Sequence, residues 1–230
     1  MTLSFIWKGM TKMYDIMKLD WHAMKCYHVR LLIIPIYLLL IGWVSPVCLI
    51  PLAVFLLFSF SINSFYVEEK GDLNRFYLTL PIKRSQVVLG RYLLSLTLFA
   101  AGELAGLALM PLANLFALSK WYPDLKWCMV LLSSGFLFYA LLSLSMYPVL
   151  FKLGYQKGKI WGFYIPAALT TLIYIIVLEY DIYTEGFLTN LLSYASDHLL
   201  TAVSMIIGLG AGILAISCLL SIKTYSRRDF

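Results

Sequence analysis

Apolar segments long enough to cross a lipid bilayer make up most of this chain. A spanning helix needs about 20 apolar residues, because the hydrocarbon core of a bilayer is about 30 Å thick. Six such runs can be marked, and they cover residues 29–45, 46–66, 86–110, 127–151, 160–178 and 198–222. None shows the alternating pattern of a membrane β-strand, so helices are the remaining way to satisfy the backbone inside the bilayer. The sequence therefore predicts an all-α membrane protein with six transmembrane helices.

The low content of charge excludes a soluble domain. Charged residues make up 13% of the chain and hydrophobic residues 61%, whereas soluble domains carry about 25% charged residues. We therefore predict that residues 29–230 form a single six-helix transmembrane domain, with residues 1–28 as a separate segment in front of it.

The distribution of Lys and Arg predicts the orientation. Of the 18 basic residues, all except Lys120 and Lys126 lie near the termini or in and beside the loops after the second and fourth spans. Lys and Arg concentrate on the cytoplasmic side of membrane proteins. We therefore expect the chain to lie in the cell membrane with both termini in the cytoplasm. The net charge of +6 is then a result of topology, and we predict no nucleic-acid partner.

The first 28 residues have the pattern of an amphipathic helix. Large apolar residues recur at spacings of three and four with lysines between them: Trp7, Met10, Met13, Met17, Trp21 and Met24. This pattern is typical of a helix that lies in the membrane interface. The alternative is a cytoplasmic helix that packs on a partner.

A short segment between the second and third spans also has an amphipathic pattern. Its apolar residues fall at positions i, i+3, i+4 and i+7 of one helix face: Leu73, Phe76, Tyr77 and Leu80. Asp72 is a suitable N-cap, and Pro81 ends the helix because a residue before proline avoids the helical region. The sequence therefore predicts a helix at 72–80 within a cytoplasmic loop at 67–85.

Two helical turns are not stable alone, so the apolar face of this helix must be covered. The lipid interface, the chain's own helices or a groove on a partner could cover it. Charged residues on and around the helix could pair with such a groove: Glu68, Glu69, Arg75, Lys83 and Arg84.

The sequence of this loop, including "LPIKRSQVVLGRYL" at 80–93, resembles the cytoplasmic loop of type-2 ABC exporter permeases. The resemblance implies that the 72–80 helix is a coupling helix, which binds in a cleft of a separately encoded ATPase. It also implies a homodimer of permeases bound to two ATPase subunits, with ATP and magnesium on the ATPase and no cofactor on this chain. The compact size resembles the permeases of phenol-soluble-modulin and antimicrobial-peptide exporters, which implies amphipathic peptides as substrates.

The sequence contains no convincing catalytic or metal site. "GYQKGKI" at 154–160 has three residues between its glycines where a phosphate-binding loop has four, and Ile where that loop has Ser or Thr. An intramembrane hydrolase with paired glutamates would need an Arg four residues after Glu69, but Arg75 comes six residues after it. His22, His28 and His198 are scattered. We therefore predict a non-catalytic subunit, and an intramembrane hydrolase is the weaker alternative.

Glu103 is the one acidic residue deep inside a predicted span. A carboxylate in a membrane is costly unless it is protonated, paired or faces water. Its neighbours Gly102 and Gly106 form a small-xxx-small face that allows close helix packing. We predict that Glu103 lies near a transport path or in the bundle interior. The alternatives are a neutral acid bonded to a neighbouring helix, and a stand-alone channel or ion-coupled carrier that uses Glu103.

Three further patterns give local predictions. Ser204, Gly208 and Gly212 form a second small-residue stripe, on the last span, and predict close helix packing. Pro111 is expected to end the third span. Arg91, near the start of that span, is expected to extend to the lipid headgroups.

Overall fold

The computed structural model describes residues 2–27, 29–44, 49–71, 83–116, 124–169, 172 and 198–227. All regular elements in these residues are helical. They are α1 (Thr2–Ala23), a 3-10 turn (Lys25–Tyr27), α2 (Val29–Val44), α3 (Leu49–Phe60), α4 (Asn63–Lys70), α5 (Arg84–Phe116), α6 (Leu125–Lys159), a π-helical turn (Ile160–Tyr164) that continues α6, and α7 (Leu199–Ser226). The predicted coupling helix at 72–80 lies outside the described residues.

Four helical stretches in the described part of the chain are long and apolar enough to cross a membrane: Leu49–Lys70, Arg84–Phe116, Leu125–Leu169 and Leu199–Ser226. The all-helical membrane class is therefore confirmed. The first predicted span corresponds to α2, which has 16 residues and is shorter than the usual span of about 20. The count of six spans and the interfacial position of the N-terminal helix stay predictions.

The chain reverses direction at Gly154, within α6. A Cβ atom on Gly158 would lie 3.1 Å from Leu150 Cα, and one on Gly162 would lie 3.1 Å from the Met146 carbonyl oxygen. In a continuous helix these pairs would be about 12 and 24 Å apart, at 1.5 Å per residue. Residues 125–153 and 155–169 are therefore antiparallel arms of a helical hairpin, in the region where we predict the fourth and fifth spans. Gly154 has φ 76°, which glycine adopts at low cost.

Glycines of α5 allow α3 and α1 to pack close to it. A Cβ on Gly102 would lie 2.9 Å from Val54 Cα, and one on Gly106 would lie 2.8 Å from Ile50 Cα. The backbones of α3 and α5 are therefore in direct contact along this face. α1 packs elsewhere on α5, where a Cβ on Gly90 would meet Ile16 Cγ2 at 2.8 Å.

The prediction that Pro111 ends the third span is wrong. α5 continues to Phe116 with Pro111 inside it. Proline in a helix removes one backbone hydrogen bond and can kink the helix without ending it. The remaining hydrogen bonds of α5 are enough for the helix to continue past Pro111.

The centre of the bundle combines aromatic rings with a network of buried hydroxyl groups. The Tyr92 hydroxyl shares hydrogen bonds with Ser217 (2.6 Å) and Ser221 (2.9 Å) of α7. Ser95 shares one with Tyr139 of α6 at 2.8 Å. These bonds satisfy polar groups that would otherwise be costly to bury, and they connect α5 to both α6 and α7.

Candidate functional site

Three charged side chains are buried in the described part of the chain: Asp20, Glu68 and Arg91. They form one cluster, which we call the Arg91 cluster. The side chain of Arg91 is 1% exposed. Its guanidinium forms an ion pair with Glu68 and approaches Asp20 with 3.5 Å between Nε and Oδ2. The prediction that Arg91 extends to the headgroups is therefore wrong, because two acidic side chains bind it inside the bundle.

Aromatic rings complete the surroundings of Arg91. Its guanidinium carbon lies 4.3 Å from the ring centre of Phe65 and 5.6 Å from that of Phe151. Arginine is attracted to aromatic faces, and more strongly where water is excluded. Phe65 and Glu68 are three residues apart on α4 and so share one helix face. The cluster and its rings thus join α1, α4, α5 and α6.

Glu69 binds a different part of the bundle from its neighbour Glu68. Its Oε2 accepts hydrogen bonds from the backbone N–H groups of Tyr155 (2.6 Å) and Gln156 (3.2 Å). These are the first N–H groups after the Gly154 reversal, and the first N–H groups of a helix lack intrahelical partners. A carboxylate at that position is also favoured by the helix dipole. The two adjacent glutamates therefore attach the end of α4 to α5 and to the hairpin.

Arg84 anchors the other side of the loop. Its Nη1 donates a hydrogen bond to the Ser226 carbonyl oxygen at 2.9 Å, and the Tyr225 carbonyl oxygen is 3.5 Å away. Carbonyls in the last turn of a helix also lack intrahelical partners, and a cation there is favoured. The start of α5 is capped by Gln86, whose side-chain oxygen accepts a hydrogen bond from the Lys83 N–H at 3.0 Å. The chain is thus fixed to other helices on both sides of residues 71–83.

The structure places only part of the predicted coupling set. The residues on the helix itself and the proline after it lie outside the described residues: Asp72, Leu73, Arg75, Phe76, Tyr77, Leu80 and Pro81. Glu68 is buried, whereas Glu69 and Lys83 are exposed. Their roles in coupling stay predictions. Asp20 was not among the predicted site residues, although an acid within the apolar pattern of the first helix is a sequence signal for a buried partner.

Glu103 lies between α5 and α6. Its Oε1 is buried and has no hydrogen-bond partner among the described residues. A Cβ on Gly135 would come within 2.9 Å of that oxygen, so the glycine leaves room for the carboxyl group. The transport role of Glu103 stays a prediction.

The second small-residue stripe has no neighbour in the described part of the chain. A Cβ on Gly208 or on Gly212 would meet no described atom within 4 Å, and Ser204 is exposed. Close packing on this stripe stays a prediction. Among the described residues, no group of three or more His, Cys, Asp or Glu side chains is placed to hold a metal ion.

Comparison with known proteins identifies the family. A family model described as ABC-2 family transporter protein matches residues 15–226. Comparisons with curated proteins and with solved structures gave no match. The family match runs from α1 to the last turn of α7 and so includes the Arg91 cluster and both anchors of the loop. The chain therefore belongs to the ABC-2 transporter family, as a multi-pass membrane permease subunit of an ABC transporter.

Proposed function

We propose that this chain is the permease of an ATP-driven exporter and that the loop at 67–85 couples it to a separately encoded ATPase. The 72–80 helix binds in a cleft of the ATPase, which holds ATP and magnesium and carries out hydrolysis. Two copies of the permease and two ATPase subunits form the working complex. The pathway lies between the permease copies, and the chain itself is not catalytic.

The anchoring of the loop on both sides is the observation that supports this proposal. Glu69 is bonded to the start of the second hairpin arm, and Arg84 is bonded to the end of α7. A loop with free ends would absorb a displacement of the ATPase. A loop whose two sides are bonded to different helices moves those helices with it.

The proposed orientation follows from charge. The end of the bundle that carries Lys70, Arg84, Lys159 and Arg227, which we call the basic end, faces the cytoplasm. Both termini are then cytoplasmic, and the ATPase reaches the loop from the same side.

The proposed substrates are amphipathic peptides, including antimicrobial peptides. The resemblance in size to peptide-exporter permeases supports this class. An apolar peptide face is compatible with a pathway lined by apolar side chains. The test is the ATPase rate of the purified complex in the presence of candidate amphipathic peptides, with polar peptides of equal length as the control. A rate that no amphipathic peptide changes would argue for another substrate class.

Coupling is tested by two substitutions on the apolar face of the loop helix. Phe76→Ala and Tyr77→Ala remove side chains that the proposal places in the ATPase cleft, so we expect reduced co-purification of the co-expressed ATPase. The matched control is Tyr164→Ala, which removes an exposed aromatic ring from the second hairpin arm. Normal recovery of the ATPase with both loop variants would contradict the proposal. Unchanged elution of each permease variant in detergent shows that it is folded.

A further inference from the structure

An apolar groove with a volume of about 670 Å³ lies between α1, α5 and α7. Its walls include Tyr14 from α1, Leu93 and Leu96 from α5, and Leu214, Ala215 and Cys218 from α7. The volume lies within the range of about 300–1,000 Å³ that is usual for ligand sites. The groove is separate from the Arg91 cluster and from Glu103.

The groove lies in the half of the bundle next to the basic end. Leu93 and Leu96 follow Arg84 by nine and twelve residues, which is about 14 and 18 Å along the helix axis. One leaflet, with its headgroups, is about 20 Å thick. Measured from the charged Arg84, the groove is therefore within one leaflet, at the depth of the lipid acyl chains. The ligand available to the groove is therefore an apolar chain.

The polar groups near the floor of the groove already have partners. The Tyr92 hydroxyl is bonded to Ser217 and Ser221, and the Tyr139 hydroxyl is bonded to Ser95. A ligand is therefore not needed to satisfy them, and the groove presents mainly hydrocarbon. Filling it with hydrocarbon brings each buried methylene group into favourable contact.

A positive charge lies at the rim. The Lys18 ammonium nitrogen is 4.5 Å from the centre of the Tyr14 ring, and Tyr14 lines the groove. Lys18 is exposed and lies four residues after Tyr14, on the same helix face. Asp15 is also exposed and neighbours Lys18 on the helix surface, three residues before it, but it is not among the residues that line the groove. Lys18 is placed against a side chain that lines the groove, so its ammonium group favours an anionic headgroup above the groove.

We propose that the groove binds an acyl chain of an anionic phospholipid from the adjacent leaflet, with Lys18 beside its headgroup. The inference depends on the family assignment, which places the chain in a bilayer, and on the position of the groove. The lipid site is independent of the ATPase and of the peptide substrate. The proposed lipid site can therefore fail while the proposed exporter function stands, and the reverse also holds.

Photolabelling of the purified chain in nanodiscs tests the site. The probes are phosphatidylglycerol and phosphatidylcholine, each with a photoreactive group in one acyl chain, and the labelled residues are mapped by mass spectrometry. We expect several-fold more label on the groove residues of α5 and α7 from phosphatidylglycerol than from phosphatidylcholine. Equal labelling by the two lipids would overturn the preference for an anionic lipid.

Filling the groove tests its location. Ala215→Phe and Leu93→Phe add volume from opposite walls, so each should remove most of the groove label. The control is Leu219→Phe on α7, the helix of Ala215, at a side chain that is 67% exposed and outside the groove. Groove label that persists in both filling variants would overturn the proposal. Elution as a single species shows that each variant is folded.

Neutralising the rim tests the headgroup contact. Lys18→Gln should bring labelling by phosphatidylglycerol down to the level of phosphatidylcholine, whereas Lys223→Gln, at an exposed lysine of α7, should not. An unchanged preference in Lys18→Gln would contradict the role of Lys18. Low labelling by both lipids, together with cross-linking of two permease copies through Cys218, would show that a second copy covers the groove and would overturn the proposal.

Discussion

A single guanidinium faces two carboxylates in the Arg91 cluster, and all three side chains are buried. Burying an ion pair does not stabilise a protein by itself, because both charges lose their hydration. Removing one partner is nevertheless costly, because the remaining charge is left buried without compensation. The cluster therefore makes the relative position of α1, α4 and α5 strongly dependent on one residue.

Replacement of Arg91 by Met should lower the free energy of unfolding by about 3–5 kcal/mol, the usual cost of breaking a buried ion pair. Denaturant unfolding of the detergent-solubilised chain measures this change. The triple variant Asp20→Asn, Glu68→Gln, Arg91→Met removes the uncompensated charges and should recover at least half of the loss. A single variant as stable as the wild type would show that the cluster is not buried and paired as described.

Glu103→Gln keeps the shape of the side chain and removes its ability to ionise. If Glu103 lies on the transport path, we expect reduced transport and reduced stimulation of the ATPase by substrate, with unchanged assembly and thermal stability. Ser134→Ala, on the exposed side of α6, is the control. Wild-type transport by Glu103→Gln would leave the carboxyl group a structural role only.

Arg91 also shows where prediction from sequence ends. A charged residue near the end of an apolar helix can extend to the headgroups or pair inside the bundle, and local sequence is the same in both cases. The choice depends on Asp20, which is distant in the chain and reaches Arg91 only through the packing of α1 on α5. The sequence shows Glu68 and Glu69 as adjacent charges, but not that they have different partners. Glu68 pairs with Arg91 through the packing of α4 on α5, and the partners of Glu69 depend on the reversal at Gly154.

At the level of helices, two stripes with the same spacing have different surroundings. Gly102 and Gly106 face the backbone of α3, whereas Gly208 and Gly212 face no described atom within 4 Å. A spacing of four residues predicts that small side chains share a face, but it does not identify what packs on that face. The helical class and the positions of the long apolar helices were predictable because apolar length alone determines them.

Gly102→Ala and Gly106→Ala should each destabilise the bundle. The added methyl group would lie within 3 Å of an α3 backbone atom, and overpacking of this kind costs about 1–3 kcal/mol. The melting temperature of each variant in detergent measures the effect.

Gly208→Ala and Gly212→Ala are the matched controls in the same assay. The same methyl group meets no described atom there, so the contact with α3 predicts no loss. Loss of stability at Gly208 or Gly212 would support the predicted packing stripe, with the rest of the chain or a second copy as its partner. Wild-type stability of Gly102→Ala and Gly106→Ala would contradict the close contact of α3 with α5.

For the whole molecule, orientation in the membrane can be tested at two ends of the bundle. In a variant without other cysteines, exposed Cys26 should react with a membrane-impermeant maleimide only after the cells are permeabilised, because the proposal places the basic end in the cytoplasm. Leu125→Cys, at a side chain that is 74% exposed near the opposite end, should react in intact cells. The reverse pattern would contradict the proposed orientation.

The hydroxyl network at the centre of the bundle differs from the Arg91 cluster in how it responds to motion. A serine or tyrosine hydroxyl both donates and accepts, and the Tyr92 hydroxyl is bonded to Ser217 and Ser221 at once, so one bond can persist when a small shift of α7 breaks the other. The guanidinium only donates hydrogen bonds and a carboxylate only accepts them, so the polarity of the Arg91 cluster is fixed. We therefore expect the contact between α5 and α7 to tolerate small shifts of α7, whereas the arrangement of α1, α4 and α5 around Arg91 tolerates less displacement.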